Sequence, residues 1–292
     1  GMLTPLGGAM NLVSVSYIEN YTGREFIYTD WVVQLLPFGL LITALTAAFL
    51  LSIKCGRKNL DGSKGYFKEL CESLPKMSAV GFISIGVFAG ATILAFTRQL
   101  YQDLLPALRP GYVFLAGGMC MFFVRDGAGK PLVTWEMAEK KLMWGLFFLF
   151  AGGTALGALV NGSGASELFA ALISKVHLES RFLLIFIIVT LNVILSDIIN
   201  NTACAAVTIP IVISVAQGLR LPVIPYLWIA TVSYNMSYML PTSIRAIPIG
   251  YGLEPRFMFK NGLLLTAVNI LATSVLGWLC ISFWPGFGIL SQ

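Results

Sequence analysis

Charged side chains are scarce in this sequence. Asp, Glu, Lys and Arg make up 11% of the 292 residues, whereas 57% of the residues are hydrophobic. A soluble globular domain carries about 25% charged residues, so the composition excludes that class of protein. Long apolar runs alternate with short polar breaks, and this pattern favours membrane-spanning helices over a β-barrel. The sequence therefore predicts an all-α, multi-pass integral membrane protein.

Residues that usually carry enzyme chemistry are also few. The chain has one histidine, His177, and its five cysteines have no Cys-x-x-Cys spacing. This pattern predicts neither a zinc site nor a disulfide framework. No His-Glu-x-x-His motif occurs, and His177 has no serine partner at a recognisable spacing. We therefore expect no catalytic residues, no cofactor and no enzymatic activity.

The positive charges are concentrated in three polar loops. Residues 54–77, 125–141 and 254–261 hold 12 of the 19 Lys and Arg residues, and the formal net charge is +5. Because cytoplasmic loops of membrane proteins are enriched in Lys and Arg, we place these loops in the cytoplasm. No basic stretch carries the interleaved aromatic residues of a nucleic-acid-binding surface, so we expect no nucleic-acid partner.

The most informative stretch is residues 191–210, LNVILSDIINNTACAAVTIP. Five polar side chains lie within seven residues between two apolar runs: Ser196, Asp197, Asn200, Asn201 and Thr202. Lipid cannot hydrogen-bond such groups, so they must face protein, water or a bound solute. We predict a helical hairpin over about residues 181–217 with its polar tip near mid-membrane. There the N-terminus of the second helix would point at an anion.

A simpler interpretation of the same residues is helix capping. Ser196, Thr202 and the Asn pair would then only satisfy two helix ends, with Thr202 as the N-cap of the second helix. In a soluble protein this would be the preferred interpretation. The density of polar groups between two lipid-length runs favours the anion site here.

Two further breaks interrupt apolar segments. Residues 1–11 are glycine-rich and close with Asn11. Residues 241–246 (PTSIRA) follow a span that we predict over residues 224–240 and that resumes over 247–251. Paired discontinuous helices are typical of secondary transporters built from inverted repeats.

Several motifs resemble the divalent anion/sodium symporter family in order and spacing. They are WG at 144–145, LFAGGTAL at 149–156, SGAS at 163–166, NNTA at 200–203 and MLP at 239–241. The resemblance covers about residues 78–276. It implies a secondary active transporter that moves a small anion by alternating access, with sodium as the usual coupling ion. The anion would be a di- or tricarboxylate or a sulfate-like ion. By the same resemblance we expect a homodimer in the inner or plasma membrane.

The resemblance also implies a division of the chain. Residues 1–53 correspond to the end of a first repeat, with a Gly-rich loop, a short helix and one span. Residues 54–77 form the cytoplasmic loop. Residues 78–292 form the second repeat, with its hairpin at about 181–217 and a broken helix at about 224–253. The first repeat's scaffold helices and its own hairpin are absent from the sequence, so we expect a C-terminal fragment of such a transporter.

Site residues follow from the resemblance position by position. The substrate-binding residues would be Asn200, Asn201, Thr202, Ser243 and Arg245. One sodium site would comprise Ser196, the Ile199 carbonyl, Asn201 and the Ser243 carbonyl. The other would include Gly7 and Asn11. Side-chain and unwound-backbone oxygens of this kind suit a hard cation.

The sequence departs from the family pattern at three places, one of which is GAM at 8–10 in place of Thr-Pro-Pro in the first loop. Asn200 replaces a serine, and SIRAI at 243–247 replaces Ala-Thr-Pro-Pro-Asn. An unpaired charge near the bilayer centre costs about 2.5 kcal/mol or more, so we expect Arg245 to contact either the anion or Asp197. If Arg245 acts as a fixed cation, transport should need fewer sodium ions than is usual for the family, or none.

Three interpretations stay open. Besides the anion transporter, the chain could be a sodium/proton antiporter or arsenite-type permease, which would use Asp197 as a proton carrier. It could also be a non-functional fragment. Arg245 discriminates between the first two, because a cation in the cavity favours an anion as substrate.

Overall fold

The computed structural model describes residues 1–53, 63–74, 77–127, 129–142, 180–241 and 247–291, with some single positions between 144 and 163. These residues contain one isolated bridge, between Arg125 and Pro131, and no strand. The prediction of an all-α chain is confirmed for this part of the sequence. The motifs quoted at 144–166 lie mostly outside the described residues.

The helices are, in chain order, α1 (Ala9–Thr22), α2 (Tyr28–Ser52), α3 (Ser63–Ser73), α4 (Ala79–Phe96), α5 (Pro110–Cys120), α6 (Trp135–Lys141), α7 (Arg181–Ile198), α8 (Asn201–Gly218), α9 (Val223–Tyr234), α10 (Ile247–Gly250) and α11 (Pro255–Phe283). Five of them, α2, α4, α7, α8 and α11, are long and apolar enough to cross a membrane by length and composition. A short 3-10 turn, Pro5–Gly7, precedes α1.

The chain divides into two compact units. The larger unit comprises Gly1–Phe49 and Met143–Gln292, and the smaller comprises Leu50–Leu142. In the smaller unit α4 packs on α5, and the rings of Phe88 and Phe114 are 6.5 Å apart. The Arg98 guanidinium is buried beyond the end of α4, where it donates to the carbonyls of Leu105 and Pro106 at 2.9 Å each.

Helix α9 lies at the centre of the larger unit. All twelve of its residues are buried, and it contacts α1, α7, α8 and α11. A helix that is apolar on every face needs such an environment. It begins after Pro222, with Pro225 in its first turn, where a missing N–H costs no intrahelical hydrogen bond. On one side Trp228 packs edge-on against Trp31 of α2, with ring centroids 5.4 Å apart.

The end of α9 differs from our prediction. We expected the span to continue through Leu240, but the helix ends at Tyr234. The Asp197 carboxylate accepts hydrogen bonds from the backbone N–H groups of Met239 at 3.2 Å and Leu240 at 3.3 Å. A continuing helix would need these two donors for its own carbonyls, so the bonds to Asp197 favour the earlier break. Helical structure resumes at α10, while residues 242–246 lie outside the described part.

Candidate functional site

The hairpin tip is the short connection between α7 and α8. Helix α7 ends at Ile198 and α8 begins at Asn201. Asn200 is extended (φ −172°, ψ 162°), and its side-chain oxygen accepts from the Ala203 N–H at 2.8 Å. Asn200 is therefore the N-cap of α8, and the assignment of that role to Thr202 was wrong. Asn caps at least as well as Thr, so the helix begins at the earlier position.

Four oxygens meet beneath this tip, and we call them the oxygen cluster: Ser196 Oγ, Asn201 Oδ1, Ser237 Oγ and the Tyr234 carbonyl. Ser196 Oγ lies 2.8 Å from Asn201 Oδ1 and 2.7 Å from the Tyr234 carbonyl. Ser237 Oγ lies 3.1 Å from Asn201 Oδ1 and 3.4 Å from Ser196 Oγ. The four groups come from α7, α8 and the broken end of α9.

The oxygen cluster has more acceptors than protons. Among these four described groups, the hydroxyls of Ser196 and Ser237 each carry one proton, whereas all four oxygens carry lone pairs. Ser196, Tyr234 and Ser237 are buried and Asn201 is half-buried, so little water is available to balance the lone pairs. Neutral hydroxyl, amide and carbonyl oxygens in this arrangement have the chemistry of a site for a hard monovalent cation.

Asp197 lies beside the oxygen cluster but turns to the backbone of the break. Its side chain is fully buried, and Oδ1 accepts from Met239 and Leu240, as described above. The carboxylate thereby holds residues 239 and 240 against the end of α7. This fixes the path of the chain immediately before residues 242–246.

A second polar cluster involves the Gly-rich segment before α1. The Asn11 amide donates to the carbonyls of Gly1 and Thr4 at 2.8 Å each. Its Oδ1 accepts from Asn235 Nδ2 at 3.2 Å, and Asn235 also donates to the Thr231 carbonyl at 2.8 Å. We call the Asn11 and Asn235 side chains the amide bridge. It joins the segment before α1 to the broken end of α9.

Gly7 is needed for the close approach within the Gly-rich segment. A Cβ at this position would overlap the carbonyl group of Gly1. Any side chain at Gly7 would therefore displace the Gly1 carbonyl, to which the Asn11 amide donates. The proposed role of Gly7 in a sodium site stays a prediction.

The structure brings only some of the predicted site residues together. Ser196 and Asn201 meet in the oxygen cluster, Asn200 and Ile199 are exposed at the tip, and Thr202 is half-buried beside them. Asn11 lies in the amide bridge instead. Ser243 and Arg245 fall outside the described residues.

Sequence reasoning missed three residues, Tyr234, Asn235 and Ser237. All three lie where we predicted an unbroken span. The available signal was the pair of polar residues, Asn235 and Ser237, a few positions before the MLP motif at 239–241. The contribution of Tyr234 through its backbone carbonyl has no sequence signal.

Comparisons with known proteins agree with this architecture. A family model described as "Sodium:sulfate symporter transmembrane region" matches residues 1–289. The chain is 26% identical to a Caenorhabditis elegans protein named sodium-dependent low-affinity dicarboxylate transporter 1, over 98% of this chain and 53% of that protein. It is 23% identical to the sodium-dependent dicarboxylate transporter SdcS of Staphylococcus saprophyticus, over 86% of this chain and 50% of the relative.

An "uncharacterized transporter" of Haemophilus influenzae is 26% identical over 97% of this chain and 60% of its own length. The chain thus spans about half to three-fifths of these curated relatives. Together with the five apolar helices, the family match confirms the prediction of an integral multi-pass membrane protein.

Proposed function

Because this chain belongs to the sodium:sulfate symporter family, we propose that it binds a small anion and takes part in moving it across the membrane by alternating access. The anion is a di- or tricarboxylate or a sulfate-like ion, and sodium is the coupling ion. Two relatives are named as sodium-dependent dicarboxylate transporters, which supports both parts of the proposal. As the resemblance implies, the protein acts as a homodimer in the inner or plasma membrane. It acts as a transporter and not as an enzyme.

The oxygen cluster is the observation that carries this proposal. It offers four neutral oxygens to a cation at the polar tip of the hairpin, with Ser196 and Asn201 only 2.8 Å apart. When bound, sodium would supply positive charge next to the anion. Ser196, Asn201, Ser237 and the Tyr234 carbonyl are the groups that would hold it. The carbonyl lies at the C-terminus of α9, where the helix dipole is negative and favours a cation.

The anion binds on the exposed side of the same tip. The first-turn N–H groups of Asn201 and Thr202 have no intrahelical carbonyl partner, and the helix N-terminus carries partial positive charge. Asn200 uses its Oδ1 as a cap, which leaves its NH₂ group to donate. Ser243 and Arg245 would complete this set of donors, by the sequence argument alone.

Asp197 argues against the alternative of a sodium/proton antiporter. A proton carrier must be reached by water on at least one side during the cycle. The Asp197 side chain is fully buried, and it fixes two backbone N–H groups of the break. It therefore acts as a structural acceptor in the state described here.

Uptake by the complete protein in proteoliposomes tests the proposal. We expect uptake of radiolabelled succinate, citrate or sulfate that rises with sodium, with a Hill coefficient near one if Arg245 replaces one of the usual sodium ions. Steep cooperative sodium dependence would contradict the role of Arg245. Uptake that depends on a proton gradient and ignores sodium would support the antiporter class instead.

Anion recognition is tested separately by isothermal titration. Arg245→Gln should weaken binding of the transported anion by roughly 1.5–3 kcal/mol, the scale of a hydrogen bond to a charged group. The neutral diamide of succinate serves as the matched control and should bind weakly to both forms. Tight binding of the diamide, unaffected by Arg245→Gln, would exclude the anion site.

A further inference from the structure

The side-chain hydroxyl and the backbone carbonyl of Tyr234 contact different parts of the site. Its side chain is fully buried, and the hydroxyl lies 2.6 Å from Ser14 Oγ of α1. The same hydroxyl donates to the Met10 carbonyl at 3.2 Å. Ser14 Oγ is also 3.0 Å from the Thr231 hydroxyl, one turn earlier on α9. The tyrosine ring thus fastens the last turn of α9 to α1.

The other end of Tyr234 is its backbone carbonyl. This oxygen accepts from Ser196 Oγ at 2.7 Å and is one of the four members of the oxygen cluster. Carbonyls in the last turn of a helix have no intrahelical donor, so the helix itself does not fix their direction. Something outside α9 must hold the Tyr234 carbonyl in place if it is to serve as a ligand.

The amide bridge adds a second fastening at the next residue. Asn235 joins Asn11 of α1 through its side chain, so two consecutive residues of the break are tied to the same helix. The peptide that carries the Tyr234 carbonyl lies between these two anchors. Its orientation is therefore coupled to the position of α1.

We propose that Tyr234 is a positioning residue that couples α1 to the cation at the hairpin tip. The inference rests on the proposed function, because it assumes that the oxygen cluster holds the coupling ion. It goes beyond the proposed function, because it states that the affinity for sodium depends on the Tyr234 hydroxyl, which does not contact the ion. Movement of α1 relative to α9 redirects the Tyr234 carbonyl and changes the affinity of the cluster for sodium.

Tyr234→Phe in the complete protein is the central test. Removal of the hydroxyl frees the last turn of α9 from Ser14, so the sodium concentration for half-maximal uptake should rise about three- to tenfold. The half-maximal sodium concentration is the readout, because the substitution keeps the Tyr234 carbonyl in the cluster and removes only the hydroxyl that orients it. Tyr226→Phe is the matched control. Tyr226 is buried in the same helix, and its hydroxyl has no hydrogen-bond partner among the described residues.

Ser14→Ala provides an independent route to the same result. It removes one of the two partners of the Tyr234 hydroxyl, leaves the bond to the Met10 carbonyl in place, and should raise the half-maximal sodium concentration by no more than Tyr234→Phe does. Because Tyr234→Phe already breaks the bond to Ser14, the double variant should show little change beyond Tyr234→Phe alone, whereas independent effects would multiply. If Tyr234→Phe fails to insert in the membrane, Ser14→Ala carries the test.

The outcomes separate this inference from the proposed function. Uptake by the wild type that is independent of sodium would overturn the sodium coupling in the proposed function and, with it, the role of Tyr234. Sodium-dependent wild-type uptake with an unchanged half-maximal concentration in Tyr234→Phe and Ser14→Ala would overturn the role of Tyr234 alone. A lower melting temperature with unchanged sodium affinity would also overturn it, because it would assign Tyr234 a structural role only.

Discussion

The oxygen cluster and the amide bridge lie next to each other along the chain but differ in their proton balance. In the amide bridge, four amide protons of Asn11 and Asn235 meet four acceptors: the carbonyls of Gly1, Thr4 and Thr231, and Asn11 Oδ1. In the oxygen cluster, two hydroxyl protons meet four oxygens in the hydrogen bonds among these described groups. A cation gains most where acceptors outnumber protons. This difference supports the proposal that the oxygen cluster binds the ion, whereas the amide bridge fastens backbone segments.

The largest effect is expected for Asn201→Ala. Under the proposed function, Asn201 offers Oδ1 to the cation and its NH₂ group to the anion, so its loss would remove two interactions with charged species. Each such interaction is worth about 1.5–3 kcal/mol, and uptake should fall by roughly 100-fold or more. Initial rates of uptake in proteoliposomes measure this.

Asn261→Ala is the control for Asn201→Ala. The Asn261 amide donates to the Phe257 carbonyl within its own helix, α11. This variant should transport at the wild-type rate, and both variants should insert and elute as the wild type does. Wild-type uptake by Asn201→Ala would break the assignment of the oxygen cluster.

Substitutions at Asn11 test the other half of the comparison. Asn11→Ala leaves the carbonyls of Gly1 and Thr4 without this donor, and each lost hydrogen bond is worth about 0.5–1.5 kcal/mol, so the melting temperature should fall. Asn11→Asp retains Oδ1 but replaces the NH₂ donor with a second oxygen that faces the carbonyls of Gly1 and Thr4, so it should destabilise the protein as well. A fluorescence melting curve in detergent measures both. If Asn11→Asp is as stable as the wild type and binds sodium more tightly, then Asn11 is an ion ligand, as the sequence predicted.

Sequence reasoning reached the elements of the fold more reliably than the details of the site. The apolar runs predicted an all-α membrane protein because lipid-length helices have a strong compositional signal. The polar residues at 196–202 identified the tip, and Ser196 and Asn201 do meet there. The break after Tyr234 was misplaced, because it depends on the Asp197 carboxylate bonding to Met239 and Leu240 from another helix. The periodicity of apolar residues in a sequence does not predict such a tertiary contact.

Ser237→Ala should have a moderate effect. It removes one of four oxygens and one of two protons from the oxygen cluster, and a single hydrogen bond contributes about 1 kcal/mol, or roughly a fivefold change. The half-maximal sodium concentration should rise by that factor, with little change in the Km for the anion. Ser233→Ala is the matched control, because the buried Ser233 hydroxyl donates to the Ile229 carbonyl in its own helix. Equal effects of the two substitutions would remove Ser237 from the ion site.

The smallest effect is expected at the exposed edge of the tip, where Asn200 combines a cap with a donor. Asn200→Ser should change the free energy of unfolding by less than about 0.5 kcal/mol, because Ser and Asn are equivalent N-caps. The Km for the anion should change by no more than about twofold, since a serine hydroxyl can accept from Ala203 and still donate to the anion.

Asn200→Ala loses both the cap and the donor and should cost about 1 kcal/mol of stability. Asn200→Asp separates them, because it keeps the cap but places a negative charge beside the anion. Melting curves and uptake kinetics on the three variants measure the two functions independently. An Asn200→Asp variant that is stable and retains wild-type anion affinity would show that Asn200 only caps the helix, and that the anion lies beyond its reach.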